Sequence, residues 1–266
     1  MHKGKIVTLL VAWIFSAALC LAEDFPYRKD FPDVPVIELA ELKAGYDAGS
    51  IIMVDVRSDI EFDAIHSKKA KHVSLGTQNF LPELKALIAA NPGKKFATYC
   101  NGVTCLKSYH AAQQAKQGGL ANVYAFDAGI PAWAKAYPAD TLLLGKELTN
   151  PEKQLISKSE FMKYCVDFAT FKQKAAEPNA VVIDARDPQQ RTKPLPGFDN
   201  AMPIQLDKLI HNVVSKGNMK DKKLLIFDQV GKQVDWLQYY LVEYGYTDYL
   251  FLDGGATSVL KEQKFR

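Results

Sequence analysis

Cysteine is scarce in this chain of 266 residues, with four in all: Cys20, Cys100, Cys105 and Cys165. Cys20 falls in an N-terminal apolar stretch expected to be removed. Three thiols then remain, an odd number that closes no disulfide framework and leaves at least one thiol free. The cysteine spacing fits no zinc pattern and the histidines are scattered, so no metal and no cofactor is expected. Excess charge is lacking too, with 33 basic against 30 acidic side chains. Residues 1–22 carry Lys3, Lys5 and no acid, so without them the balance is 31 against 30. That leaves no electrostatic footprint for nucleic acid. Long apolar runs are missing except from Ile6 to Cys20, which is short for a span of about 20 residues. With Met1-His2-Lys3-Gly4-Lys5 before it and Ala22-Glu23 after it, the run reads as a secretory signal peptide cleaved near Ala22. An exported, periplasmic protein with no stable membrane span after cleavage is expected. An uncleaved anchor is the other reading of the run, and Leu19 before Cys20 disfavours a lipoprotein.

What is present suffices for packed cores. A hydrophobic content of 48% over this length supports one large or two ordinary domains. Residues 23–35, with Pro26, Pro32 and Pro35, read as an extended lead-in. From Val36 to Pro138 apolar strand-like runs alternate with helical patterns, which implies a mainly parallel α/β sheet flanked by helices. Residues 139–151 read as a linker, after which the pattern returns over 152–266. Ala180 to Arg186 answers Ile52 to Arg57, Lys223 to Phe227 answers the run before Cys100, and Tyr249 to Gly255 answers Val123 to Gly129. The period of about 125–130 residues makes this an internal repeat.

The stretch from Tyr99 to Ser108 concentrates the chemistry. The run Lys95 to Tyr99 reads as a buried strand ending on Cys100, and a helix is expected from about Ser108 to Gln117. In parallel α/β sheets ligand sites lie beyond the carboxyl ends of the strands. Amides of a Gly-containing turn and the positive end of a helix favour an anionic sulfur there. Cys165 differs: with Phe161, Met162 and Phe168 at helical spacing in a helix Ser159–Phe168, it reads as a core thiol.

Asp55-Val56-Arg57, Glu61-Phe62, His66, Ala70, Val73, the cysteine loop, Asn122-Val123-Tyr124 and Gly129-Ile130-Pro131-Ala132-Trp133 follow one another in order. Over Val36 to Pro138 the chain resembles the rhodanese family of sulfurtransferases. The second half resembles it more weakly, through Asp184-Ala185-Arg186, Gly197, Ala201-Met202-Pro203 and Leu252-Asp253-Gly254-Gly255, so the whole looks like a tandem rhodanese. The resemblance implies that Cys100 takes a sulfane sulfur from a small sulfur-containing anion or persulfide donor, such as thiosulfate. It then passes the sulfur to a thiophilic acceptor, for which a protein thiol is a candidate. Asn101, Gly102, Val103, Thr104 and Lys107 are then the substrate-binding residues, with Asp55, Arg57 and Ser108 supporting the loop. The loop departs from the family pattern of cysteine, four residues, then Arg-Ser: six residues separate Cys100 from Lys107, and lysine lacks the planar fork of arginine. Gly102-Val103-Thr104 also resembles the Gly-Val-Thr of thiosulfate and mercaptopyruvate sulfurtransferases displaced by one residue, so the register stays open. Cys105 is a candidate resolving thiol; a permanent disulfide and a merely buried thiol are the other readings. Asp228 stands where the second domain would carry its cysteine, and a carboxylate cannot form a persulfide, so that domain is expected to be degenerate. The alternative from another class is a thiol–disulfide redox or sulfur-carrier protein using Cys100 and Cys105 without efficient thiosulfate turnover.

Overall fold

A computed structural model describes residues 25–262. The expected signal peptide, 1–22, lies outside the described residues. The first half runs α1 (Leu39–Asp47), β1 (Ile51–Asp55), α2 (Asp59–Ala64), β2 (Ile65–Ser67), β3 (Lys71–His72), α3 (Phe80–Ala89), β4 (Lys95–Tyr99), α4 (Lys107–Gln117), β5 (Val123–Phe126) and α5 (Gly129–Ala136). Four of the five residues of β1 and of β4 are buried, because helices cover both faces of the sheet, as apolar parallel strands require. The order is β3-β1-β4-β5 with every pairing parallel. One face packs Val54 and Phe96 against Leu84, Tyr109, Ala111 and Ala115 of α3 and α4. The other packs Met53, Ala97 and Tyr99 against Leu42, Tyr46, Ile130 and Trp133 of α1 and α5. Asp55 and Tyr99 are register partners, as are Tyr99 and Phe126. The strands therefore end level, and the turn after β4 opens beside those after β1 and β5.

Two stretches hold more structure than their composition suggests. The polar run after β1 contains α2, started by a capping box in which Ser58 and Glu61 satisfy each other's neighbouring amides. Within 139–151, expected to be a linker, β6 (Thr141–Leu143) and β7 (Lys146–Glu147) form a three-stranded antiparallel sheet with β2. The lead-in is also tied down: the Arg28 guanidinium pairs with Asp127 and Glu38, and Phe31 stacks on Tyr109 at 4.9 Å between centroids.

The second half runs α6 (Pro151–Gln154), α7 (Lys158–Met162), β8 (Cys165–Val166), α8 (Phe168–Ala175), β9 (Ala180–Asp184), β10 (Met202–Pro203), α9 (Leu206–Lys208), β11 (Lys223–Phe227), α10 (Val234–Glu243), β12 (Tyr249–Leu252) and α11 (Gly255–Glu262). Its sheet, β10-β9-β11-β12-β8, is also parallel throughout. The likeness extends to the edge, where β8 on β12 answers the parallel bridge between Val36 and Ala125. Cys165 therefore lies on an edge strand and not in the helix expected over Ser159–Phe168. The Asp167 side chain accepts the Thr170 amide and starts a separate helix there. The chain is thus two domains of one fold, α/β with mainly parallel sheets flanked by helices. They meet through α2 and α10: Ile60 packs against the second domain's core and Trp236 against the first's.

Candidate active site

The turn between β4 and α4 is shaped by its glycines. Gly102 has φ +99°, and the Cys105 amide donates to its carbonyl at 2.8 Å, folding the chain back over Cys100. Gly129, φ +64°, presses on the turn from below, where a Cβ would lie 2.4 Å from the Cys100 carbonyl oxygen and from the Gly102 nitrogen. The next amide, Ile130, donates to that same carbonyl at 3.0 Å. Only a residue without a side chain allows this approach.

Within the turn the two sulfurs occupy different settings. Cys100, expected to receive the sulfur, is 0% exposed. Its S–H has the Cys105 carbonyl at 3.3 Å and the Ser108 hydroxyl at 3.7 Å as acceptors. Burial, with the neighbouring Cys105, pushes the Cys100 thiol well above the usual thiol range. Cys105 is partly exposed. The hydrogen bond from Cys100 draws its thiol down to about 6; burial opposes the shift, while the amides of Asn101 and Lys107 and the Lys107 charge assist it. Both cysteines are free thiols.

A buried polar network holds the turn. Arg57 donates to both carboxylate oxygens of Asp55, at 2.9 and 2.6 Å, and to the Asn101 side-chain oxygen at 3.1 Å. Asn101 in turn donates to Glu61. Glu61 also accepts from the Ser58 amide and hydroxyl and from Lys107 at 3.3 Å. Burial resists ionisation of Glu61, yet Lys107, the Ser58 amide and Asn101 bring it down to about 2. Lys107, expected to grip an anionic donor, thus shares its charge between Glu61 and the Cys105 sulfur. Of the other expected binding residues, Gly102 is buried, Val103 half-buried and Thr104 exposed on the rim. Ser108 is buried beneath the sulfurs. The role of Glu61 was missed in the sequence although Ser58-x-x-Glu61 is a capping-box signature. Trp236, whose ring faces the Arg57 guanidinium at 5.4 Å, leaves no local signal because it comes from the other domain.

Asp228 occupies the corresponding place in the second domain. One carboxylate oxygen accepts the amides of Val230, at 3.0 Å, and Gly231. The other accepts those of Gln233, at 2.6 Å, and Val234, at 3.3 Å. The second cradle is therefore filled by the chain's own anion. Asp184 and Arg186 repeat the Asp55–Arg57 pair, at 2.9 and 2.7 Å, and the Ala256 amide meets the Asp228 carbonyl at 2.9 Å as Ile130 meets Cys100. Burial, aided by Asp253 and Asp235, pushes the Cys165 thiol up to about 12, so it takes no part in thiolate chemistry at neutral pH.

The model of the rhodanese-like domain matches residues 38–136 and 167–262. No curated protein matches the chain. Among solved structures, the BH2092 protein from Bacillus halodurans is 25% identical, covering 48% of this chain and 93% of its own, with a TM-score of 0.36. Thiosulfate sulfurtransferase from Pseudomonas aeruginosa is 16% identical over 88% of this chain, with a TM-score of 0.35, and the match covers 41% of its length. The rhodanese-like domain of an Anabaena protein is 17% identical, covering 46% of this chain and 85% of its own, with a TM-score of 0.36. With two matched regions that together take up most of its length, each coinciding with one of the two α/β domains, the chain belongs to the rhodanese-like domain family and carries that domain twice.

Proposed function

We propose that the protein is an exported sulfurtransferase that moves a sulfane sulfur to a thiophilic acceptor through a persulfide on the turn between β4 and α4. The donor is thiosulfate or another persulfide source. The family resemblance designates Cys100 as the sulfur-bearing thiol. The observation carrying the reading is a pair of free thiols, Cys100 and Cys105, in the turn between the carboxyl end of a central parallel strand and the amino end of α4, beside Lys107. Such a setting stabilises a thiolate for attack and a persulfide anion after it. With thiosulfate, the thiolate attacks the outer sulfur and sulfite leaves with the electron pair of the broken S–S bond; a nucleophilic acceptor then takes the sulfur and restores the thiolate. The chemistry needs no cofactor. One lysine in place of an arginine fork holds a dianion less firmly, which favours donors other than thiosulfate as the physiological source.

Steady-state sulfur transfer from thiosulfate, or from a small alkyl persulfide, to cyanide or a thiol tests the reading. Turnover lost in the Cys100→Ser, Cys105→Ser double variant is expected; equal turnover in that variant excludes it. Export is checked by N-terminal sequencing of the mature protein, expected to begin at Glu23; an intact Met1 end would exclude cleavage. A second reading, a thiol–disulfide redox or sulfur-carrier protein, is favoured by two free thiols sharing one turn, with the Cys100 sulfur 3.3 Å from the Cys105 carbonyl oxygen. It predicts that oxidation forms a readily reduced Cys100–Cys105 bond without sulfur turnover.

A further inference from the structure

The turn holds two sulfurs and presents one of them. Cys100 lies at the strand end with no exposed surface, enclosed by the Ser108 hydroxyl and the Cys105 carbonyl. Cys105, five residues on in the same turn, is partly exposed. A donor arriving from solvent meets Cys105 first. The turn closed by the Cys105 amide on Gly102 folds Cys105 onto the first thiol, the Cys100 sulfur lying 3.3 Å from the Cys105 carbonyl oxygen.

Resting on the sulfurtransferase reading above, we infer that Cys105 is the thiol that accepts the sulfane sulfur, and that buried Cys100 then resolves the persulfide, releasing hydrosulfide and leaving a Cys100–Cys105 disulfide. This exchanges the roles that the family resemblance implies. In the first step the Cys105 thiolate attacks the outer sulfur of the donor; the Cys105 persulfide forms and the donor's remainder leaves, as sulfite from thiosulfate. In the second step Cys100 attacks the inner sulfur of that persulfide. The Cys100–Cys105 bond forms, the sulfur–sulfur bond of the persulfide breaks, and the proton of Cys100 departs with the outer sulfur as hydrosulfide. The sulfane sulfur gains two electrons and the two thiols lose two. An external dithiol restores both thiols and is itself oxidised to a disulfide. The net chemistry is reduction of sulfane sulfur to sulfide by a dithiol, an outcome different from handing the sulfur to an acceptor.

Burial suits each thiol to its step. Cys100, held protonated in the interior, does not compete for donor. Cys105, partly exposed and with its thiol drawn down, does. The test treats the reduced wild-type chain and the Cys100→Ser and Cys105→Ser variants with thiosulfate and, separately, with a small alkyl persulfide. Intact mass, peptide mapping and released sulfide are followed. Wild type is expected to lose two hydrogens, release one sulfide per chain, and regain its mass on adding a dithiol. Cys100→Ser is expected to keep one added sulfur on Cys105 and release no sulfide, and Cys105→Ser to gain no sulfur at the same exposure. Sulfur gained on Cys100 in Cys105→Ser at the wild-type rate overturns the exchange of roles while the sulfurtransferase reading stands. Added sulfur that persists on wild type without sulfide release overturns the resolving step. No sulfur uptake by any of the three from either donor overturns the sulfurtransferase reading itself. Serine in the buried Cys100 position can unfold the turn, so wild-type protein is also treated with substoichiometric iodoacetamide. Cys105 is expected to be modified about tenfold faster than Cys100, and the reverse order overturns the assignment.

Discussion

Glu61 is bound by four donors: the Ser58 amide and hydroxyl, the Asn101 side chain and Lys107. Its folded pKa of about 2 lies below its ordinary 4.5, so ionised Glu61 stabilises the fold fully above pH 4.5 and progressively less as pH falls toward 2. The shift corresponds to about 3 kcal/mol at neutral pH. Glu61→Gln is therefore expected to lower unfolding free energy by about that amount at pH 7, with the difference from wild type shrinking at pH 3. Urea melts at the two pH values measure it, and a pH-independent difference would show that packing, not charge, is at stake. The same substitution frees Lys107 to act on Cys105 alone. That both cysteines, the Asp55–Arg57 pair and Lys107 share one neighbourhood was legible in the sequence, and the structure gathers them around the turn after β4. Which sulfur faces outward was not, because that depends on a reversal of the chain at Gly102 and on burial from elements far away in sequence.

Between elements, the contact of greatest consequence is the one between the turn after β4 and the start of α5. A glycine with positive φ touches the neighbouring backbone there, and Gly255 does the same in the second domain, 2.6 Å from the Gly231 nitrogen for a Cβ. Gly129→Ala is expected to lose sulfur-transfer activity and to destabilise by well over the cost of about 1 kcal/mol of a left-handed alanine, since the added methyl displaces the Cys100 carbonyl. Gly119→Ala, with φ +74° and open space around its Cβ, is expected to pay only that strain and keep its activity. Thermal melts and turnover of the pair measure the difference, and equal losses would show that strain alone explains both. Strands β1, β4, β5, β9, β11 and β12 were readable because strands covered on both faces are apolar throughout. Helix α2 was overlooked inside a basic stretch despite its capping box. Strands β6 and β7 were invisible because β6 exists by pairing with β2, far away in sequence, and the two-residue β7 by pairing with β6, and Cys165 was misplaced because β8 is only two residues long.

Across the whole molecule, the second domain braces the first through α10. Trp236 contributes its ring to the Arg57 guanidinium and its surface to the first domain's core, while Lys146 pairs with Glu243 across the same boundary. Trp236→Ala is expected to cost about 2 kcal/mol and to split a single calorimetric transition into two as the domains uncouple. A single transition at an unchanged temperature would mean that the domains are joined by other contacts. The filled cradle around Asp228 also sets the valency of the protein. A carboxylate bound covalently to the chain never leaves, so that cradle has no vacancy for an anionic cargo. On the sulfurtransferase proposed above, the tandem is therefore no relay: it would load sulfur at the first domain alone, and every partner, whether supplier or recipient, would dock at the same doorway.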